Sequence, residues 1–349
     1  MGRTTITDVA QAAGVSVSTV SRALRGLDKV NPETRERIKE QAERLHFTFS
    51  KSASSLASGK TMRVAVLLPN EINSWFNANA FEGIYEVLSA KGYDVIPYVM
   101  LDEPSLERFL DNLPGNRNVD AIIACSFDFD NRQRDVLTSF SLPVVGLNTP
   151  SDHGYDAVAR IDDMAAMADA VRLLHSLGHR SLAYVAQPVN PSPFTCSDVV
   201  RMEGFVQATK ACGYDDDQIM MIPSLRSVDT RSVEEAYSGI AAQLLSAPIR
   251  PTGICVSPDS TAVPLIKELQ RIGWHVPEDV SIIGFDDDDT AAAIELTTIH
   301  QNPVETGRKA ARMTLALMND EELEQRYVNM PTSLVMRRTT APAPREQQA

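Results

Sequence analysis

From Met62 onward the chain alternates short apolar runs with amphipathic segments, and this alternation restricts the fold more than any other feature. RVAVLL, DVIPYV, AIIAC and PVVGL have the length and character of buried parallel strands, separated by helical stretches at about 75–91, 103–112 and 131–138. The plan then repeats with SLAYVA, IMMI, GICVS and VSIIGF, and helices at about 163–177, 198–212, 232–247 and 260–272. Parallel strands joined through helices cross over right-handedly, so each set winds into an open sheet with helices on both faces. Two doubly wound α/β subdomains are expected. Ligands on such sheets sit beyond the carboxyl ends of the strands, which makes the cleft between the subdomains the expected site.

Ahead of this body lies a segment of different make. Thr5-Ile6-Thr7-Asp8 has the order of a capping box and predicts a helix over Ile6 to Ala13. Gly14 supplies the left-handed residue that stops it, and Ser16 is a suitable N-cap for a second helix from Val17 to about Arg25. Val9, Ala10, Val15, Val20 and Leu24 are the small apolar contacts that two helices meeting at a tight turn leave room for. Asn31-Pro32 opens a third helix reaching about Leu45, with Ile38, Ala42 and Leu45 inward. This is a helix-turn-helix module.

Its hydroxyls have a use. Ser16, Thr19 and Ser21 are short donors within reach of phosphate oxygens, while Val17, Ser18 and Arg22 project toward base edges. A guanidinium such as that of Arg22 can bond guanine O6 and N7 together. Net charge is −13, yet residues 1–60 hold ten Lys and Arg against six Asp and Glu, a balance of +4 that leaves −17 on the remainder. A phosphate-facing head on an acidic body has that asymmetry.

These runs carry a resemblance. ITDVAQAAGVSVSTVSRAL, VNPETRERIKEQAERLHF and KSASSLASGK are similar to the headpiece and hinge of the LacI/GalR family of bacterial transcription regulators. RVAVLLP, HSLGHRSLAYVA, RMEGF, VPEDVSIIGFDD and LTTIHQNPVETGRKA resemble that family's effector domain. The resemblance implies an all-α helix-turn-helix headpiece at 1–46, a hinge at 47–61, and a periplasmic-binding-protein-like α/β domain at 62–340 that binds effector and dimerises. It implies crossings near Asp162, Asp288 and Tyr327, giving an N-subdomain of 62–162 and 289–327 and a C-subdomain of 163–288 and 328–340. It adds Thr5, Asn31, Thr34 and Ala53 to the DNA contacts. Leu56 becomes a wedge that enters the minor groove when a hinge helix, Ser50 to Ser58, orders beside its symmetry mate. The partner is then a pseudo-palindromic operator with a central CG step, bound by a homodimer.

At the strand ends stand Asn73, Trp75, Phe76, Phe127, Asp128, Asn148, Asp259 and Asp286, with Phe194 and Arg201 flanking a helix start. Carboxylates, amides and an Arg bond neighbouring sugar hydroxyls in pairs, and flat rings cover the apolar faces of a pyranose. A carbohydrate effector is expected, with a nucleobase as the alternative. By resemblance Arg201 and Asp286 match ligand-contacting positions, whereas Pro258 and Asn148 stand where an Asn and an Asp are frequent. Asp259 and Asp286 as helix N-caps, and Trp75 and Phe76 as core residues, remain the competing reading.

Other classes fit poorly. No G-x-S-x-G, G-x-G-x-x-G, P-loop or H-E-x-x-H motif is present and only six His occur, which argues against an enzyme. Cys125, Cys196, Cys212 and Cys255 lie far apart and read as reduced thiols, and Asp128-Phe129-Asp130 lacks the rest of a calcium loop. Neither metal nor cofactor is expected. No apolar run approaches the roughly 18 residues of a membrane span, and TTITDVAQ lacks the apolar stretch of a secretory signal. A cytoplasmic regulator is therefore expected rather than a transport-type binding protein. Pro342 and Pro344 in APAPREQQA stop a continuing helix, so the expectation is a dimer held by the body, with a disordered tail at 341–349.

Overall fold

The computed structural model describes residues 4–24, 30–47, 60–116, 118–187, 194, 196–223 and 233–344. It divides into two compact units, Met1–Met62 with Arg117–Asp120, and the remainder of the chain.

The small unit contains α1 (Ile6–Ala13), α2 (Val17–Leu24) and α3 (Pro32–Arg44). The Asp8 carboxylate accepts from both the backbone N–H and the hydroxyl of Thr5, at 2.7 and 2.8 Å, so Asp8 closes the first turn. Gly14 takes the left-handed conformation at φ 65° and ends α1, where a side chain at Cβ would be strained. Ser16 Oγ accepts from the Thr19 N–H at 3.2 Å and Asn31 Oδ1 from the Glu33 N–H at 3.0 Å, starting α2 and α3. The core is Val9, Ala10, Ala13, Val20, Ala23, Ile38 and Ala42, with Val15, Leu24 and Leu45 partly buried against it. Small side chains let the three helices approach closely.

The large unit contains two six-stranded sheets. In the first, the strands β1 (Arg63–Leu68), β2 (Asp94–Val99), β3 (Ala121–Cys125), β4 (Val144–Leu147), β5 (Ala157–Ile161) and β11 (Tyr327–Met330) lie in the order β11-β5-β4-β3-β1-β2. Every pair is parallel. Its helices include α4 (Trp75–Ser89), α5 (Glu103–Asn116), α6 (Asn131–Ser139) and α12 (Pro303–Met318). The second sheet is ordered β12-β10-β9-β8-β6-β7, from β6 (Leu182–Ala186), β7 (Ile219–Ile222), β8 (Gly253–Ser257), β9 (Ser281–Asp286), β10 (Thr297–His300) and β12 (Ser333–Val335). It carries α7 (Asp163–Ser176), α8 (Ser197–Ala211), α9 (Val233–Leu245), α10 (Asp259–Arg271) and α11 (Asp289–Ala293). Only β12 runs antiparallel, against β10. Strand order reverses beside β1 in one sheet and beside β6 in the other, and a doubly wound sheet opens a ligand crevice at such a switch.

Three expectations need correction. The chain returns to the first sheet after β10, not near Asp288, because Thr297–His300 pairs in parallel with Ile283–Asp286 and buries Thr297, Thr298 and Ile299. It leaves again just after β11, three residues past the expected boundary at 327, because Tyr327–Met330 pairs with Val158–Ile161. The tail does not begin at 341. His179 Nε2 and the Ser281 hydroxyl meet the Ala341 carbonyl, the Ala343 N–H donates to the Leu177 carbonyl at 2.8 Å, and Ala343 is buried. Proline stops a helix here but not an extended strap; residues 345–349 lie outside the described residues.

Candidate functional site

The strand ends of the two sheets face a cavity of about 630 Å³. From the first subdomain, Asn70, Glu71, Asn73, Trp75, Phe76 and Asn77 follow β1, Ser126 follows β3 and Asn148 follows β4. Ser74 caps α4 by accepting from the Asn77 N–H, which sets Trp75 and Phe76 half-buried at the cavity wall. Asn148 has a left-handed backbone, φ 51°, and its Oδ1 accepts from the Ile161 N–H at 3.2 Å. Its Nδ2 is buried with no hydrogen-bond partner in the protein.

The second subdomain contributes Arg201, Asp198, Asp286, Asp288, Tyr184 and Phe194. Arg201 is 4% exposed. Its Nε donates to Asp163 Oδ1 at 2.8 Å and its Nη1 to Ser257 Oγ at 3.2 Å, while Asp198 and Asp286 lie 3.6 and 3.8 Å from Nη1. The guanidinium also lies 3.8 Å above the Phe285 ring. Burial works against this charge, but Asp163, Asp286 and Asp198 outweigh it and raise the Arg201 pKa. Burial pushes Asp286 up to about 7 even with Arg201 beside it, and Asp286 Oδ1 accepts from Gln301 Nε2 at 2.6 Å. Asp163 is raised by burial as well.

Seven of the ten expected effector residues line the cavity: Asn73, Trp75, Phe76, Asn148, Phe194, Arg201 and Asp286. Three do not. Phe127 is fully buried, packed on Phe129 and Phe194, and its carbonyl accepts from the Tyr155 hydroxyl at 2.6 Å. Asp128 accepts from the Ser151 N–H instead of facing the cleft. Asp259 turns beneath β9, where it accepts from the Asp287 and Asp288 N–H groups and the Thr298 hydroxyl. That turn needs an acceptor, and burial with the Asp286 charge pushes Asp259 up to about 8. Asp163 and Asp198 were missed. Asp198 stands one helical turn before Arg201, a spacing visible in the sequence, whereas Asp163 reaches Arg201 only through the packing of α7 on α8.

On the small unit, Ser16, Val17, Ser18 and Arg22 are exposed at the start and along the face of α2, with Thr19 and Ser21 half-buried. The Ser16 hydroxyl is within 2.8 Å of those of Ser18 and Thr19, so the three form one polar cluster. Thr5 and Asn31 are exposed at the starts of α1 and α3, and Thr34 is half-buried in the first turn of α3. Ala53 and Leu56 lie outside the described residues. Among the described residues no group of His, Cys, Asp and Glu could hold a metal ion, and no helix is long and apolar enough to cross a membrane.

Residues 5–49 match the family of bacterial regulatory proteins, lacI family, and residues 171–340 match the periplasmic binding protein-like domain. Catabolite control protein A of Priestia megaterium is 30% identical over 347 residues, covering 96% of this chain and 99% of that protein. The chain belongs to the LacI family. It is a DNA-binding transcriptional regulator with a ligand-binding domain, not an enzyme. A lac repressor dimer bound to operator and the anti-inducer ONPF has the same fold, at TM-score 0.81 and 22% identity over 97% of this chain and 100% of that one. A LacI family transcriptional regulator from Enterococcus faecium with bound ribose is 27% identical, at TM-score 0.66, over 80% of this chain and 99% of that one.

Proposed function

We propose that this LacI-family regulator is a homodimeric repressor of a pseudo-palindromic operator, controlled by a sugar bound in the cleft between its subdomains. One observation carries the sugar reading: Asn148 from one subdomain and the Arg201–Asp286 pair from the other line one cavity. Sugar hydroxyls donate and accept at once, so adjacent hydroxyls satisfy a carboxylate, a guanidinium and an amide together. Trp75, Phe76 and Phe194 add ring faces for the C–H side of a pyranose. The relative with bound ribose supports the same ligand class.

At the DNA, Ser16, Thr19 and Ser21 serve phosphates with Thr5, Asn31 and Thr34, and Val17, Ser18 and Arg22 read the major groove. Ala53 and Leu56 act in the minor groove at the centre of the site. Calorimetric titration of the full chain with ribose, hexoses, disaccharides, nucleosides and nucleobases, followed by operator gel shifts with each binder, tests the reading. A sugar that binds and alters operator retention is expected. Response to a nucleobase alone would transfer the effector role to that class.

A further inference from the structure

We propose that the cleft admits uncharged polyhydroxyl ligands and excludes phosphorylated and carboxylated ones. The inference rests on the sugar reading of this cavity and narrows it. Among the described residues lining the cavity, Arg201 is the one Lys or Arg, against Glu71, Asp198, Asp286 and Asp288. That cation is already engaged, by Asp163 at 2.8 Å, Asp198 at 3.6 Å and Asp286 at 3.8 Å, with Phe285 against its face. An entering phosphate would compete with three fixed carboxylates for one guanidinium.

Of the helix N-termini that line the cavity, those of α8 and α10 have no side-chain cap, but each carries an acidic residue in its first turn, which opposes an anion there. The first turn of α8 carries Asp198, and that of α4 is capped by the Ser74 hydroxyl. The chemistry of the lining decides further. The oxygens of a phosphate dianion or a carboxylate only accept, so they cannot bond the Asp198 carboxylate, whereas a hydroxyl donates to it and pairs with Asp286 whether that group is ionised or neutral. An uncharged polyol therefore completes the cavity's hydrogen bonds where an anion leaves like charges face to face in a partly desolvated space.

The test is calorimetric titration of the full chain with matched sets: ribose and ribose 5-phosphate; glucose, glucose 6-phosphate and glucuronate; galactose and galacturonate; adenosine and its monophosphate. The expected result is that every binder is the uncharged member of its set, its anionic counterpart binding at least about tenfold more weakly. In Asp198→Asn, whose parent carboxylate is partly exposed, that gap should narrow, whatever affinity the uncharged ligand loses with its Asp198 contact. An anionic member that binds as tightly as its parent, or an unchanged gap in Asp198→Asn, overturns the proposal. Should only adenosine bind, the sugar reading fails, and the charge rule is judged on adenosine against its monophosphate.

Discussion

Arg201 holds more together than a ligand contact would require. It compensates two nearly buried carboxylates, Asp163 and Asp286, so Arg201→Ala strands both in a medium that cannot solvate them. Loss of about 3–5 kcal/mol is expected in urea unfolding. Arg201→Lys retains a charge but cannot span from Asp163 to Ser257, and should remain folded with weakened ligand binding. Asp259 gives a pH signature. Its carboxyl is raised to about 8, so it stabilises the fold fully as the neutral acid below its unfolded value near 4, and that contribution is lost as pH rises toward 8. Asp259→Asn keeps the shape, can accept from the two N–H groups and can donate to the Thr298 oxygen. The melting temperature of this variant relative to the parent should therefore rise between pH 5 and pH 8.5; a flat difference would mean that the carboxyl ionises freely. Asp259 also shows what a sequence hides. It and Asp286 follow consecutive strands and look alike, but the turn after β9 offers two N–H groups to one of them and leaves the other to the cavity.

The helices and strands legible in the sequence were those with clear apolar periodicity or explicit caps: α1 to α10, and β1 to β4 with β6 to β9. The elements missed are β5, β10, β11, β12, α11 and α12. β5 is interrupted by Arg160 and β11 by Asn329, and β10 and β12 mix Thr, His or Ser with few apolar residues, so a local pattern cannot separate them from loops. Pairing of β11 with β5 joins residues far apart in sequence. Tertiary packing makes these elements. Between α4 and α12 a Cβ on Gly83 would lie 2.0 Å from the Val304 carbonyl oxygen, and one on Gly307 would lie 2.2 Å from that of Ala80. Backbone cannot yield as a side chain does, so Gly83→Ala or Gly307→Ala should each cost about 1–3 kcal/mol by chemical denaturation. Deleting residues 341–349 removes the Ala341 contacts with His179 and Ser281, and should lower the melting temperature by several degrees while sedimentation still reports a dimer. An unchanged melting temperature would show that the strap carries no stability.

The same side chains that line the cavity also hold the segments that join the subdomains. Asn148 accepts from Ile161 just before the first crossing, Arg201 holds Asp163 just after it, and Asp286 is bonded to Gln301 at the second. A ligand that draws on Asn148, Arg201 and Asp286 therefore biases the crossings themselves and favours one relation of the subdomains. Linkage makes the consequence measurable, because operator must change ligand affinity by the factor by which ligand changes operator affinity. The decisive measurement is the affinity of whichever sugar binds this chain, titrated calorimetrically with and without a saturating operator duplex. A ratio of about 5–150, matched by the shift in operator affinity when sugar is saturating, is the predicted result. Equal sugar affinities in the two titrations would contradict the control of DNA binding by this cleft.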